Sequence, residues 1–104
     1  MTAHRVGPLE GFAEGKAHRI EVDGLVLALI RIGDDVYVIG DRCSHQDVSL
    51  SEGEVDAEER TLECWKHGSA FSLETGDPTS LPATRPVPVY DAQVVDGEVE
   101  VVVA

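Results

Sequence analysis

The sequence predicts an all-β protein, an antiparallel β-sandwich or barrel base, and three observations carry that prediction. Short stretches alternate apolar and polar residues, two Asp-Gly pairs each join two of them, and glycine and proline punctuate most of the remainder. Leu9-Glu10-Gly11-Phe12 and Glu14-Gly15 read as turns. Ala17 to Val22 alternates around Ile20 and Val22, and Asp23-Gly24 is a strong hairpin signal. Leu25 to Ile32 follows as a mostly apolar strand. Gly33-Asp34-Asp35 turns the chain, and Val36-Tyr37-Val38-Ile39 is β-branched and aromatic enough for the next strand. That strand ends at Gly40-Asp41.

From Ser44 to Glu59 the chain is polar and acidic, which predicts an exposed loop with room for one helical turn. The charge run from Glu52 to Glu59 reads either as a solvated face or as a docking site. Arg60 to Cys64 regains strand alternation, Ala70-Phe71-Ser72-Leu73 is a short strand, and Glu74-Thr75-Gly76-Asp77-Pro78 is a turn. Four of the five prolines fall between Pro78 and Pro88. A segment so stiff and short of amide donors suits an ordered surface loop better than a central strand. Val87 to Val95, the Asp96-Gly97 turn and Glu98 to Val103 form a closing hairpin. Tyr37, Tyr90 and Phe12 are expected in the core, and His4 and His18 on the surface.

Size and composition set bounds on this reading. At 104 residues with 42% apolar content, the chain is one domain, residues 1–104, with one modest core. Nothing near Met1-Thr2-Ala3-His4-Arg5 resembles a signal peptide, and no apolar run approaches the roughly 20 residues that span a bilayer. The expectation is therefore cytoplasmic. A net charge of −12 and a pI near 4.5 disfavour nucleic acid and anionic membrane, both of which call for Lys/Arg surfaces. A basic protein partner suits the charge better, although acidity also serves plain solubility.

The chemistry is concentrated in Cys43-Ser44-His45 and Cys64-Trp65-Lys66-His67-Gly68. These hold both cysteines of the chain and half of its four histidines. In a reducing compartment, cysteines beside histidines point to metal binding or catalysis rather than to a structural disulfide. Thiolate and neutral imidazole are both good ligands for borderline metals, so two loops can offer four ligands to one centre. Structural zinc is one candidate. The usual zinc finger, however, places like ligands together, whereas here each loop carries one of each kind. Two such loops meeting face to face can give both thiolates to one metal and both imidazoles to a second, which matches a two-iron cluster with unequal irons.

The two boxes resemble the cluster-binding motifs of Rieske-type iron–sulfur proteins, and the small size is similar to that of the Rieske ferredoxins of bacterial oxygenase systems. The resemblance covers nearly the whole chain, including Phe71 to Gly76 and the proline loop through Pro82, which in the family helps to cover the cluster. It implies a Rieske-like fold with a small cluster-binding subdomain of two loops, about residues 41–86, inserted in the β base. It also implies one [2Fe-2S] cluster per chain. Cys43 and Cys64 would bind one iron, and His45 and His67 the other, with Gly68, Ser69 and Pro82 around them. The eighteen residues between His45 and Cys64 are slightly more than usual in the family, which predicts a loop insertion near Val55 to Glu59.

Charge counting explains the histidines. An oxidised two-iron, two-sulfide core carries about +2, so two thiolates bring the site to roughly zero, whereas four would make it harder to reduce. A more negative, reduced cluster favours the protonated form of the free imidazole nitrogens. High-potential Rieske proteins carry a disulfide and place a serine and a tyrosine hydroxyl beside the cluster. The matching positions here are Val48 and Lys66 for the disulfide, Ser69 for the serine and Phe71 for the tyrosine. A low to intermediate potential is therefore expected, below about +200 mV. Trp65 either belongs to an apolar docking patch with Pro82 or packs the underside of its loop.

No dinucleotide fingerprint, phosphate loop or nucleophile–base motif is visible. The expected function is one-electron transport rather than catalysis: the ferredoxin component of a multicomponent dioxygenase, taking electrons from a flavin-dependent or other reductase to a terminal oxygenase. A monomer meeting its partners transiently is expected. The family also contains small subunits of nitrite reductases and Rieske ferredoxins that accompany iron–sulfur assembly. A zinc-stabilised interaction module is the alternative of another class.

Overall fold

Two Asp-Gly turns set the frame of the molecule, a computed structural model that describes residues 2–42, 49–65, 69–79 and 85–103. Asp23 and Gly24 have φ of 50° and 81°, and Asp96 and Gly97 have φ of 52° and 78°. Positive φ at both central residues is what a type I′ hairpin turn requires, because its twist matches that of the strands it joins. The first turn closes β2 (Ala17–Val22) onto β3 (Leu25–Ile32), with Val22 opposite Leu25. The second closes β8 (Val89–Val95) onto β9 (Glu98–Val103), with Val95 opposite Glu98.

β1 (Thr2–Pro8) and β4 (Asp35–Gly40) complete a six-stranded antiparallel sheet in the order β1-β9-β8-β4-β3-β2. The sheet curls until its two edge strands, β1 and β2, approach one another. Between β4 and β8, the elements far apart in sequence, a second sheet is inserted. It consists of β5 (Glu54–Asp56), β6 (Thr61–Glu63) and β7 (Ala70–Ser72), in sequence order. Among the described residues there is no α-helix, only 3-10 turns at Leu9–Gly11 and Leu50–Glu52.

β3 explains why its sequence is an almost unbroken apolar run. Leu27 and Leu29 face the hollow of the curled sheet, where they pack with Val22, Val38, Val99, Val101 and Val103. Ala28 and Ile30 face the opposite way, joining Ile39, Leu50, Leu62, Cys64, Phe71, Leu73 and Val87 under the three-stranded sheet. Side chains alternate across a strand, so a strand covered on both faces must be apolar at odd and even positions alike. Each fully buried Leu, Ile or Val contributes about 1.5–3 kcal/mol of transfer free energy.

The strands expected at 17–22, 25–32 and 98–103 have the anticipated limits, and β4, β6, β7 and β8 differ from their expected spans by one or two residues at an end. Two elements depart from expectation. β1 has no signal of its own, because it is an edge strand interrupted by a bulge between Arg5 and Gly7 and acquires its conformation by pairing with β9. The acidic stretch expected to be a loop contains the anticipated helical turn, Leu50–Glu52, but also β5, whose Val55 alone turns inward. Residues 55–59, where the sequence reading expects an insertion, run from β5 into the turn that leads to β6. His4 and His18 are partly covered rather than fully at the surface, His18 standing edge-on to Phe12 with ring centroids 5.3 Å apart. Phe12, Tyr37 and Tyr90 are likewise partly buried, packed at the margins of the two clusters.

Candidate metal centre

Of the four candidate ligands, Cys64 is described, whereas Cys43, His45 and His67 lie outside the described residues, as do Gly68 and Pro82. The structure does describe the roots from which the ligand-bearing segments depart. Arg42 and Ser49 form an isolated antiparallel bridge across the base of residues 43–48. The Leu50 N–H donates to the Asp41 carbonyl at 2.5 Å, closing the same base from inside. At the second segment, the Cys64 N–H donates to the Ser69 carbonyl at 2.6 Å, so residues 65–68 leave and return through a single hydrogen-bonded gap. The proline segment departs from beside β7, where the Thr79 N–H donates to Ala70 O at 2.7 Å. It returns at Val87, whose N–H donates to Gly76 O at 2.9 Å.

These roots share one apolar floor. Leu50 follows the first segment, Cys64 opens the second, Phe71 and Leu73 precede the proline segment and Val87 follows it, and all five lie in the cluster built on Ala28, Ile30 and Ile39. The sequence places the two boxes eighteen residues apart, and the fold gathers their bases over the same face of β3 and β4. Two glycines make the close approaches. A Cβ at Gly53 would overlap the carbonyl oxygen of Glu63, and one at Gly76, where φ is +78°, would overlap that of Val87.

Cys64 is fully buried, at 0% exposure, and Ser69 beside it is buried to the same extent. Trp65, the next residue, is 53% exposed. The chain therefore passes from a buried to an exposed side chain within one residue. Val48, Lys66 and Pro82 fall outside the described residues, while Phe71 is fully buried in the shared floor. As a thiolate, Cys64 is a soft ligand at the rim of an apolar floor, suited to iron in a sulfide cluster. With one further thiol and two imidazoles in the adjoining segments, the sequence offers two sulfur and two nitrogen donors, a set that would fit a cluster whose two irons are unlike. Among the described residues, no group of three or more His, Cys, Asp or Glu side chains is arranged to hold a metal elsewhere.

One positioning residue escaped the sequence reading. Arg60 has a φ of 55° and sends its guanidinium to Asp35 at 3.3 Å and to the Tyr37 hydroxyl, passing 5.5 Å from the Tyr37 ring centroid. Its carbonyl accepts the Leu73 N–H at 2.9 Å. Arg60 thereby fastens the start of β6 to both β7 and β4, and no local pattern in the sequence signals such a contact.

Comparison with known proteins gives a consistent picture. A model of the Rieske [2Fe-2S] domain matches residues 2–91. The chain is 40% identical over 92 residues to the 3-phenylpropionate/cinnamic acid dioxygenase ferredoxin subunit of Escherichia coli (strain K12), covering 88% of this chain and 85% of that one. It superposes on the ferredoxin of carbazole 1,9a-dioxygenase from Nocardioides aromaticivorans IC177 with a TM-score of 0.94 and 38% identity, over 97% of each chain. A ferredoxin solved in complex with the reduced oxygenase of carbazole 1,9a-dioxygenase matches with a TM-score of 0.87 and 38% identity, over 95% of this chain and 100% of that one.

Proposed function

This chain belongs to the Rieske [2Fe-2S] domain family, and from that premise we propose that Cys43 and Cys64 hold one iron of the cluster, His45 and His67 the other, within a cluster-binding part spanning about residues 41–86. The protein is an electron carrier, the ferredoxin component of a dioxygenase system, and not itself a catalyst. The observation that carries this function is the 38–40% identity, over most of the chain, to oxygenase ferredoxins. When bound, the cluster supplies a one-electron couple whose potential is raised by having two imidazoles in place of two thiolates.

The chain's own residues supply the setting. Leu50, Leu62, Phe71 and Val87 exclude water from the side of Cys64 that faces the base. Ser69 is fully buried next after the second segment, and its hydroxyl is the group we assign as a donor to cluster sulfur, with Gly68 and Pro82 placed around the cluster by the family resemblance alone. The partners are a terminal oxygenase, as in the carbazole dioxygenase complex, and a flavin-dependent or other reductase. With a net charge of −12, encounters with basic faces on such partners are transient and salt-sensitive. We place the protein in the cytoplasm as a monomer: thiolate ligands suit a reducing compartment, and among the described residues no helix is long and apolar enough to cross a membrane.

The decisive test is spectroscopic. Purified protein should be brown, bleach with dithionite, and carry two irons and two acid-labile sulfides per chain. A colourless protein with one zinc per chain would establish the structural-zinc alternative instead. Reduction by a reductase and reoxidation by an oxygenase in a reconstituted system then tests the carrier role.

A further inference from the structure

We propose that Asp41 is a positioning residue for the metal centre, one that pins both ends of the first ligand segment and fixes a negative charge that lowers the reduction potential; this rests on the Rieske reading above. Asp41 follows β4 and is only 4% exposed, a rare state for a carboxylate unless partners surround it. Its partners lie on the return side of the segment. One carboxylate oxygen accepts the Ser51 N–H at 2.9 Å, the other accepts the Ser49 hydroxyl, and the Asp41 carbonyl accepts the Leu50 N–H at 2.5 Å. The Asp41 N–H donates to Val26 O at 3.2 Å, which ties the same residue to β3. Three consecutive residues after the segment are thus bonded to one residue before it.

The charge is a separate matter from the clamp. Its counterion is Arg19, at 3.9 Å, and the Arg19 side chain is 63% exposed. Water screens an exposed cation more strongly than it screens a buried carboxylate, so the balance is incomplete. Asp41 stands two residues before Cys43 in the sequence, so the intervening chain spans at most about 7 Å. A fixed anion at the root of the segment that carries Cys43 disfavours the arrival of an electron there, more so in a low-dielectric surround. Asparagine could maintain the clamp: its oxygen accepts from Ser51, and its amide can donate to the Ser49 oxygen. Asp41→Asn therefore removes the charge and leaves the hydrogen bonds, whereas Asp41→Ala removes both.

Iron and sulfide content of the wild-type holoprotein, measured first, tests the Rieske reading on its own. Midpoint potentials are then compared by direct electrochemistry at low ionic strength, with electron paramagnetic resonance reporting the ligand set. Asp41→Asn should keep wild-type iron content and resonance positions and shift the midpoint positive. Arg19→Gln should shift it negative, and Asp41→Ala should surrender iron faster to a chelator. An Asp41→Asn protein with intact cluster and unchanged midpoint overturns the proposal. Should Asp41→Asn fail to retain its cluster, Arg19→Gln decides: a negative shift supports the charge role, and a wild-type midpoint overturns it.

Discussion

Glu54 and Glu63 stand directly opposite one another across the β5–β6 pair, both exposed, and the remaining pairs, Val55 with Leu62 and Asp56 with Thr61, bring no cation between the two strands. Like charges at a cross-strand position oppose pairing, by about 0.2–1 kcal/mol. Replacing Glu54 with Lys should stabilise the holoprotein by about 0.5 kcal/mol, read as a rise in melting temperature of a few degrees. A lower melting temperature would show that the pair is relieved by something other than its immediate opposite.

The four proposed ligands should be individually indispensable. Alanine at Cys43, His45, Cys64 or His67 should yield protein without the visible spectrum and with iron well below two per chain. If His45→Cys retains a cluster, its midpoint should be more negative than wild type, because a third thiolate adds negative charge to the site. Retention of a wild-type spectrum by any of the alanine variants removes that residue from the ligand set.

Phe71 is fully buried in the same apolar cluster as Cys64, and the family resemblance matches it to the tyrosine of high-potential Rieske proteins. Phe71→Tyr should raise the midpoint if its hydroxyl reaches a cluster sulfur, since a donor to sulfur stabilises the reduced state. In that case little stability is lost, because the buried hydroxyl has a partner. A destabilised protein with an unchanged midpoint would mean the hydroxyl is buried without one.

Arg60 offers a test of backbone conformation against side-chain contact. Arg60→Ala loses the bonds to Asp35 and Tyr37 and keeps a Cβ at a φ of 55°. Arg60→Gly loses the same bonds but relieves the backbone, so it should be the more stable of the two, by up to about 1 kcal/mol. Tyr37→Phe, which removes only the hydroxyl, should cost about 1 kcal/mol. Urea unfolding of the three variants ranks them directly.

Gly53→Ala should be the most disruptive substitution outside the ligands. A Cβ there runs into the backbone carbonyl of Glu63 rather than into a yielding side chain. Separation of β5 from β6 should cost about 2–3 kcal/mol, and circular dichroism melting would detect it.

How much of the fold and the site the sequence disclosed depends on how local each determinant is. The hairpins at Asp23-Gly24 and Asp96-Gly97 were legible because two adjacent residues specify the turn and alternation fixes the register of the paired strands. Both cysteine–histidine boxes stand out in the sequence because ligand chemistry restricts residue type, although of the four proposed ligands only Cys64 lies among the described residues. β1 was not, since Thr2–Pro8 contains Gly7 and Pro8 and is extended only because β9 lies beside it. β5 was hidden by its own charge: of Glu54, Val55 and Asp56, only Val55 faces the core, too short a pattern to be distinguished from a loop. The contacts of Arg60 and the burial of Asp41 join residues up to 25 positions apart, and no window along the chain contains such information.

Cys64 sits in the same apolar cluster as Ile30 and Ile39, so a proposed ligand and the central strands of the large sheet share a single wall. If Cys64 takes a ligand role, loading the site would also stabilise that wall, because whatever binds only the folded chain adds to its stability. On that footing, chains made without metal would be expected to fall to proteases sooner than loaded ones, and the number of carriers would follow the supply of iron.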